Sequence, residues 1–316
     1  MPKLFDPKLP DGFIEVEHIN AYLLAAPDIY VEPRSTPFFR VPEMIYGSKP
    51  TDDGNFLLTP EERDELVAKN PRAEKWIRPF LGSREFIRNI KRYCLWLVDC
   101  PPDELRKMPL VYQRVKNVRE FRLASKKAAT RQAADRPTQF QEIRQPTRDY
   151  ILVPRHSSEL RRYVPIGYVS SNVICGDTNQ MIPDAQLFHF GVLTSSVHMT
   201  WMRTVAGRLR NDYRYSATIV YNCFPWPLFY PESYKSRVEA TAQKILDVRA
   251  KYPTASFADL YDEISMPADL RRAHAENDAA VMSLYAFRPD MPEDKLQIRL
   301  LEMYDSLRQD FADAED

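Results

Sequence analysis

The fold turns on the stretch YILVPRHSSELRRYVPIGYV (150–169) and the run NQMIPDAQLFHFGVL (179–193) that follows it. Both are short β-branched or aromatic runs broken by Pro and Gly, which is the pattern of strands in a small sheet. Residues 150–154, 163–169 and 179–193 are therefore read as strands. Immediately after them TSSVHMTWMRTVAGR (194–208) changes period: Thr194 or Ser195 is a cap, and Val197, Trp201 and Val205 share one helical face. Strands giving way to a helix within 60 residues predict an α+β arrangement.

Outward from that stretch the pattern continues. Thr59, Pro60 and Glu62 form a capping box that starts a helix ending near Lys69, before Asn70 and Pro71. YCLWLV (93–98) reads as a buried strand, stopped by Pro101 and Pro102. Residues 110–134 are rich in helix formers and are read as one continuous helix, with Val111, Val115, Val118, Leu123 and Ala124 near one stripe. The last 85 or so residues predict helices over 234–251, 257–261, 267–287 and 292–308, bounded by Pro253, Pro267, Pro289 and Pro292. The expected fold class is thus α+β: a mixed α/β domain followed by a small all-α helical C-terminal domain.

Charge is distributed unevenly along a chain whose formal net charge is zero. Residues 1–71 carry a net −6, residues 72–162 a net +12, residues 163–230 a net +1 and residues 231–316 a net −7. A basic excess confined to about 90 residues suits contact with phosphates, whose counterions each cation releases. A solvated basic face balanced by acids elsewhere in the fold is the competing reading.

Glycine is sparse, eight residues against 26 prolines, and no GxGxxG or GxxxxGK[ST] loop occurs. A nucleotide or S-adenosylmethionine cradle needs such a loop so that backbone can approach the ligand, so no cofactor is expected on this chain. The four cysteines and five histidines are scattered without metal-ligand spacing, so no metal is expected either. No run approaches the roughly 20 apolar residues of a membrane span, and the N-terminus lacks an apolar signal segment. No membrane partner and a cytoplasmic location are the expectations.

Two stretches resemble the target-recognition domain of the MmeI-like DNA methyltransferases: VPRHSSELRRYVPIGYV (153–169) and IPDAQLFHFGVLTSSVHMTWMRTVAGRLRNDYRYSATIVYNCFPWP (182–227). VPEMIYGSKPTDDGNFLLTPEE (41–62), WIRPFLGSREFI (76–87) and LDVRAKYPTASFADLYDEISMPADLRRAHAENDAAVMSLY (246–285) are similar to the same family. The resemblance spans about residues 35 to 310. It implies a division into a connector (1–35) from an upstream methyltransferase domain, a target-recognition domain (36–230) and a helical C-terminal domain (231–316). It also implies a parent adenine-N6 methyltransferase of a restriction-modification or phage-defence system, whose upstream domain carries S-adenosylmethionine. The (N/D)PP(Y/F) tetrapeptide that receives a flipped adenine in such enzymes is not found; Asn222 is followed by Cys223, Phe224 and Pro225. The expected function is therefore sequence-specific recognition of double-stranded DNA, with no enzymatic activity on this chain.

Residue chemistry nominates the contacts. Arg155, Ser157, Ser158, Glu159, Arg161 and Arg162 lie between two predicted strands, and Asn211 and Arg214 lie in a second polar cluster. These are the candidates for base readout, because Arg matches guanine O6/N7, Asn matches adenine and Glu accepts from cytosine N4. Arg119, Arg122, Lys126, Lys127, Arg131, Arg208, Arg210 and Tyr213 are the candidates for phosphate contact. A charged surface hairpin and an internal pairing of Asp212 with Arg210 or Arg214 stay open as structural readings. So do an RNA-binding or protein-interaction module, and a free-standing enzyme using Glu43, Asp52 and Asp53. Trp201, Phe224 and Trp226 are assigned to the core, and His274 to packing.

Overall fold

Thr59 sits in extended backbone (φ −72°, ψ 169°) and opens the helix Pro60–Lys69. Its hydroxyl accepts from the Glu62 N–H (3.2 Å), and the Glu62 carboxylate accepts from the Thr59 N–H (2.8 Å). That reciprocal box satisfies two orphan donors at the helix start, as the residue types require. The computed structural model describes residues 1–5, 10 and 12–313, with side chains through Phe311.

Four small sheets are interleaved with helices. The central one is antiparallel, in the order Ile45–Tyr46, Asn179–Pro183, Tyr150–Pro154, Gly167–Val169, with Met181 opposite Leu152 and Tyr150 opposite Val169. All five residues of Tyr150–Pro154 are buried. Ile151, Val153 and Ile182 face the largest core, whereas Tyr150, Leu152 and Met181 face a smaller cluster with Phe86 and Cys175. Burial on both faces is why YILVP reads as a continuous apolar run rather than an alternating one. A second sheet orders Ile174–Cys175, Ile77–Leu81, Tyr93–Leu95 and Leu57–Leu58, its first pair parallel. It packs with the helix Pro109–Leu123 through Val111, Val115 and Val118 to make a separate core.

Three expectations are corrected. Residues 179–193 are not one strand: the strand ends at Pro183, Asp184 takes a left-handed φ of 59°, and Leu187–Leu193 is helical. Phe188, Phe190, Gly191, Val192 and Leu193 are all buried, so no polar stripe marked the helical period. The predicted helix 110–134 stops at Leu123 and resumes as the short helix Ala128–Gln132. Arg122 enforces the break by donating to the carbonyls of Ala133, Arg136 and Gln139, which folds the following chain back on the helix. Finally, of 93–98 only Tyr93–Leu95 pairs, and of 163–169 only Gly167–Val169.

The C-terminal helices Glu232–Ala250, Phe257–Leu260, Ala268–Leu284 and Glu293–Asp313 follow the proline punctuation closely. They share the largest core with Leu24, Ile29, Phe38, the central sheet and the helices Leu187–Leu193 and Ser196–Val205. Gly191 fixes the seam: a Cβ there would stand 2.7 Å from a Val238 methyl and 3.1 Å from Ala242, so only glycine admits this helix approach. Asn277 closes the same seam, donating to the Gly191 carbonyl (2.8 Å) and accepting from Thr241 (3.0 Å). Trp201, Phe224 and Trp226 are buried as expected, and His274 is fully enclosed.

Candidate nucleic-acid interface

Gly207–Leu209 and Asp212–Arg214 form a hairpin closed by only two residues, Arg210 and Asn211. Two-residue hairpins need positive φ at their first central position, which Gly supplies freely. Here Arg210 adopts it at φ 57°, a strained choice for a side chain with a Cβ. The strand His156–Ser157 adds a third edge, with Ser157 opposite Tyr213 and His156 opposite Arg214. The polar cluster and the polar inter-strand segment of the sequence are thereby joined in one sheet.

Residues 158–162 leave that sheet as a loop. Ser158 starts it, accepting at its carbonyl from the Arg161 N–H (3.2 Å) and at its hydroxyl from the Leu160 N–H (3.3 Å). Glu159 pairs with Arg208 across to the hairpin (3.3 Å), and Arg208 also donates to the Asn211 carbonyl (2.8 Å) while lying 4.0 Å over the Tyr213 ring. Loop and hairpin tip therefore share a face. Arg161 is half-buried; loss of water holds its guanidinium below its usual range, with Asp212 opposing that shift and Arg88 adding to it. Arg162, Arg210, Asn211 and Arg214 are exposed, as are the aliphatic side chains of Leu160 (73%) and Leu209 (58%).

Three nominated contacts are corrected. Ser157 is 4% exposed and its hydroxyl is enclosed without a partner, so it faces the interior and not a base edge. Tyr213 is 7% exposed beneath Arg208, and serves as a platform for that guanidinium rather than a phosphate ligand. Arg122 is wholly buried and gives its five N–H bonds to the carbonyls of Pro50, Thr51, Ala133, Arg136 and Gln139. Its place in the sequence was a clue: it continues the buried stripe of Val111, Val115 and Val118. Arg155 is partly withdrawn as well, donating to the Asp177 carbonyl (3.1 Å) with its guanidinium 4.8 Å from the Tyr46 ring centre.

The basic segment keeps the side chains of Arg119, Lys126 and Lys127 exposed and in no hydrogen bond or ion pair among the described residues. Arg131 is exposed but turned back to the carbonyls of Ser125 and Lys126 (2.9 Å each). Sequence reasoning missed Arg203, which joins Glu293 (2.7 Å) to the Arg162 carbonyl (3.2 Å); no local pattern announces a contact spanning 90 residues. Asp52 is 4% exposed and caps a turn by accepting from the Phe56 N–H (2.6 Å), while Asp53 lies in that turn at φ 52°. Among the described residues no group of His, Cys, Asp and Glu is arranged to hold a metal ion, and no helix is long and apolar enough to cross a membrane.

Known proteins share this architecture. The family model of the MmeI target recognition domain matches residues 25–228, and that of the MmeI C-terminal domain matches residues 230–312. "DNA methyltransferase A" of Bacillus subtilis (strain 168) is 34% identical over 293 residues, 92% of this chain and 33% of that protein. A solved structure of the Type IIL restriction-modification enzyme MmeI in complex with DNA superposes with a TM-score of 0.90 at 44% identity, covering 94% of this chain and 40% of that one. The chain thus spans 33% and 40% of the lengths of these two relatives. By both family matches, this chain belongs to the MmeI target recognition domain family and carries the MmeI C-terminal domain behind it.

Proposed function

We propose that the chain recognises a specific sequence in double-stranded DNA, as the specificity module of an adenine-N6 methyltransferase in a restriction-modification or phage-defence system. The observation that carries the reading is the shared face of the 158–162 loop and the 207–214 hairpin, tied by the Glu159–Arg208 pair, in a chain of this family. Ser158, Glu159, Arg161, Arg162, Asn211 and Arg214 are the base-reading candidates on that face, and Arg155 borders it. Arg208, Arg210, Arg119, Lys126, Lys127 and Arg131 are the phosphate candidates. Exposed cations bind the backbone without regard to sequence, while a Glu beside an Arg offers an acceptor and a bidentate donor to adjacent base edges. S-adenosylmethionine and the methyl-transferring motifs belong, in this reading, to a methyltransferase domain of the parent protein, which works in the cytoplasm.

The test is duplex-DNA binding across a salt series, followed by selection from randomised duplexes. A steep fall of affinity with salt and enrichment of one short sequence are expected. A flat salt dependence overturns the reading, because phosphate contacts require counterion release.

A further inference from the structure

We propose that the C-terminal helices set the geometry of the reading loop, with Asp278 and Glu293 as positioning residues for sequence discrimination. The inference rests on the DNA-reading function above and extends it to a region with no base-reading candidate of its own. Asp278 lies on the helix Ala268–Leu284 and uses both carboxylate oxygens. Oδ2 accepts from the Tyr163 hydroxyl (2.6 Å), and Oδ1 from the N–H of Ser196 (2.7 Å), the first residue of the helix Ser196–Val205. The Tyr163 ring stacks on His274 of the same C-terminal helix, centroids 4.2 Å apart and planes 28° apart. Glu293, on the next helix, accepts from Nε (2.9 Å) and Nη2 (2.7 Å) of Arg203, whose Nη1 donates to the Arg162 carbonyl (3.2 Å).

Two consecutive residues at the exit of the loop are thus tied to two different C-terminal helices, Tyr163 directly through Asp278 and Arg162 through Arg203 and Glu293. The loop has little else beneath it. A polar cleft of about 780 Å³ opens between it and those helices, lined by Leu160, Arg161, Asp278 and Met282 among others. Its other hydrogen bonds are internal to the loop or are the exposed pair of Glu159 with Arg208. Base readout tolerates displacements of only about 0.5 Å in its contacting groups, so a loop fixed at its entry by the strand His156–Ser157 depends for the rest of its accuracy on the anchor at its exit. Releasing the anchor should loosen base choice while the exposed cations still hold phosphates.

The experiment compares the chain with Tyr163→Phe, Asp278→Ala, Asp278→Asn and Glu293→Ala by selection from randomised duplexes, by binding to the selected duplex and its single-base variants, and by thermal melting. Tyr221→Phe, which deletes a buried hydroxyl bonded to the Pro42 carbonyl, controls for simple loss of a core hydrogen bond. Tyr163→Phe and Asp278→Ala should each lower the preference for the selected sequence about tenfold, with affinity for unrelated DNA within about twofold of the parent chain. Asp278→Asn, whose amide can donate to Tyr163 while its oxygen accepts from Ser196, should recover most of that preference. Tyr221→Phe should leave it intact. Variants that fold and discriminate like the parent chain overturn the proposal, as does a uniform weakening on all sequences. If Asp278→Ala fails to fold, Glu293→Ala decides the matter by the same criteria. A parent chain that selects no sequence and shows no salt dependence instead defeats the DNA-reading function itself, and this proposal with it.

Discussion

The basic unit around the helix Pro109–Leu123 and the loop-and-hairpin face on the larger core are both rich in arginine, yet they handle charge in opposite ways. In the basic unit one guanidinium, Arg122, is fully interior and neutral carbonyls surround it, while Arg119, Lys126 and Lys127 stand in solvent without partners among the described residues. On the loop and hairpin the cations are interleaved with Glu159 and Asp212, and the interior below is held by neutral histidines. The difference teaches that a regional charge count mixes two populations. Unpaired exposed cations suit a uniform phosphate backbone; cations checked by neighbouring acids suit a surface that must reject most sequences.

Removing Arg122 tests the interior of the basic unit and should give the largest effect. Arg122→Ala leaves the Thr51 and Gln139 carbonyls without a donor among the described residues and those of Pro50, Ala133 and Arg136 with only a backbone donor each. At about 1–3 kcal/mol for a buried partner left unsatisfied, plus the cavity left by a buried side chain, a loss on the order of 5 kcal/mol is expected in urea unfolding. A loss below about 1 kcal/mol would show that the loop it gathers can find other donors. Acid should act on the other region. Burial pushes His198 down to about 3 and His189 to about 4, and holds His274 well below its ordinary 6.5. Unfolded, each takes a proton near pH 6.5; folded, none does until far lower. Their contribution is therefore full above that pH and is lost as pH falls, by about 1.4 kcal/mol per histidine, or about 4 kcal/mol in all, between pH 7.5 and 5.5. Residues 56–140 contain no histidine, so equal acid sensitivity in that unit by hydrogen exchange would contradict the contrast.

Smaller effects separate the two surfaces. Arg161→Ala should cost about 1–3 kcal/mol on the selected duplex and relax choice at one base position. Equal weakening on every duplex would move Arg161 to the phosphate set. Lys126→Ala and Lys127→Ala should change base choice not at all, and each should reduce the slope of log affinity against log salt by about one. An unchanged slope would remove that segment from the interface.

Much of the fold was legible because its signals are local. The Thr59–Glu62 box, the proline-bounded C-terminal helices and the Ser195 cap, whose hydroxyl accepts from the His198 N–H, all act within one turn. The helix Leu187–Leu193 was not legible, since burial on every side erases the period that distinguishes it from a strand. Nor was the break after Leu123, which follows from a guanidinium reaching carbonyls 11 to 17 residues onward. For the candidate site, the sequence marked two segments that the fold joins in one sheet, but could not say which side chains within them point outward. Tyr213 alternates with exposed Asp212 and Arg214, and Ser157 on the adjacent strand with half-buried His156, so a one-residue shift in register exchanges the two sets. The Asp278 and Glu293 anchors lie 115 and 90 residues from their partners, beyond any local pattern.

The seam at Gly191 bears on how the recognition segment can be exchanged between relatives. Because Val238 and Ala242 press on Gly191 and Asn277 bonds its carbonyl, the recognition segment and the helices behind it are mutually fitted surfaces. A chimaera cut near residue 230, between the two family matches, would mate one parent's segment with another's helices and place a foreign Cβ or amide in that contact. An exchange of residues 25–312 together, the span of the two family matches, keeps that seam within one parent, and smaller grafts leave it intact when confined to exposed loop and hairpin side chains.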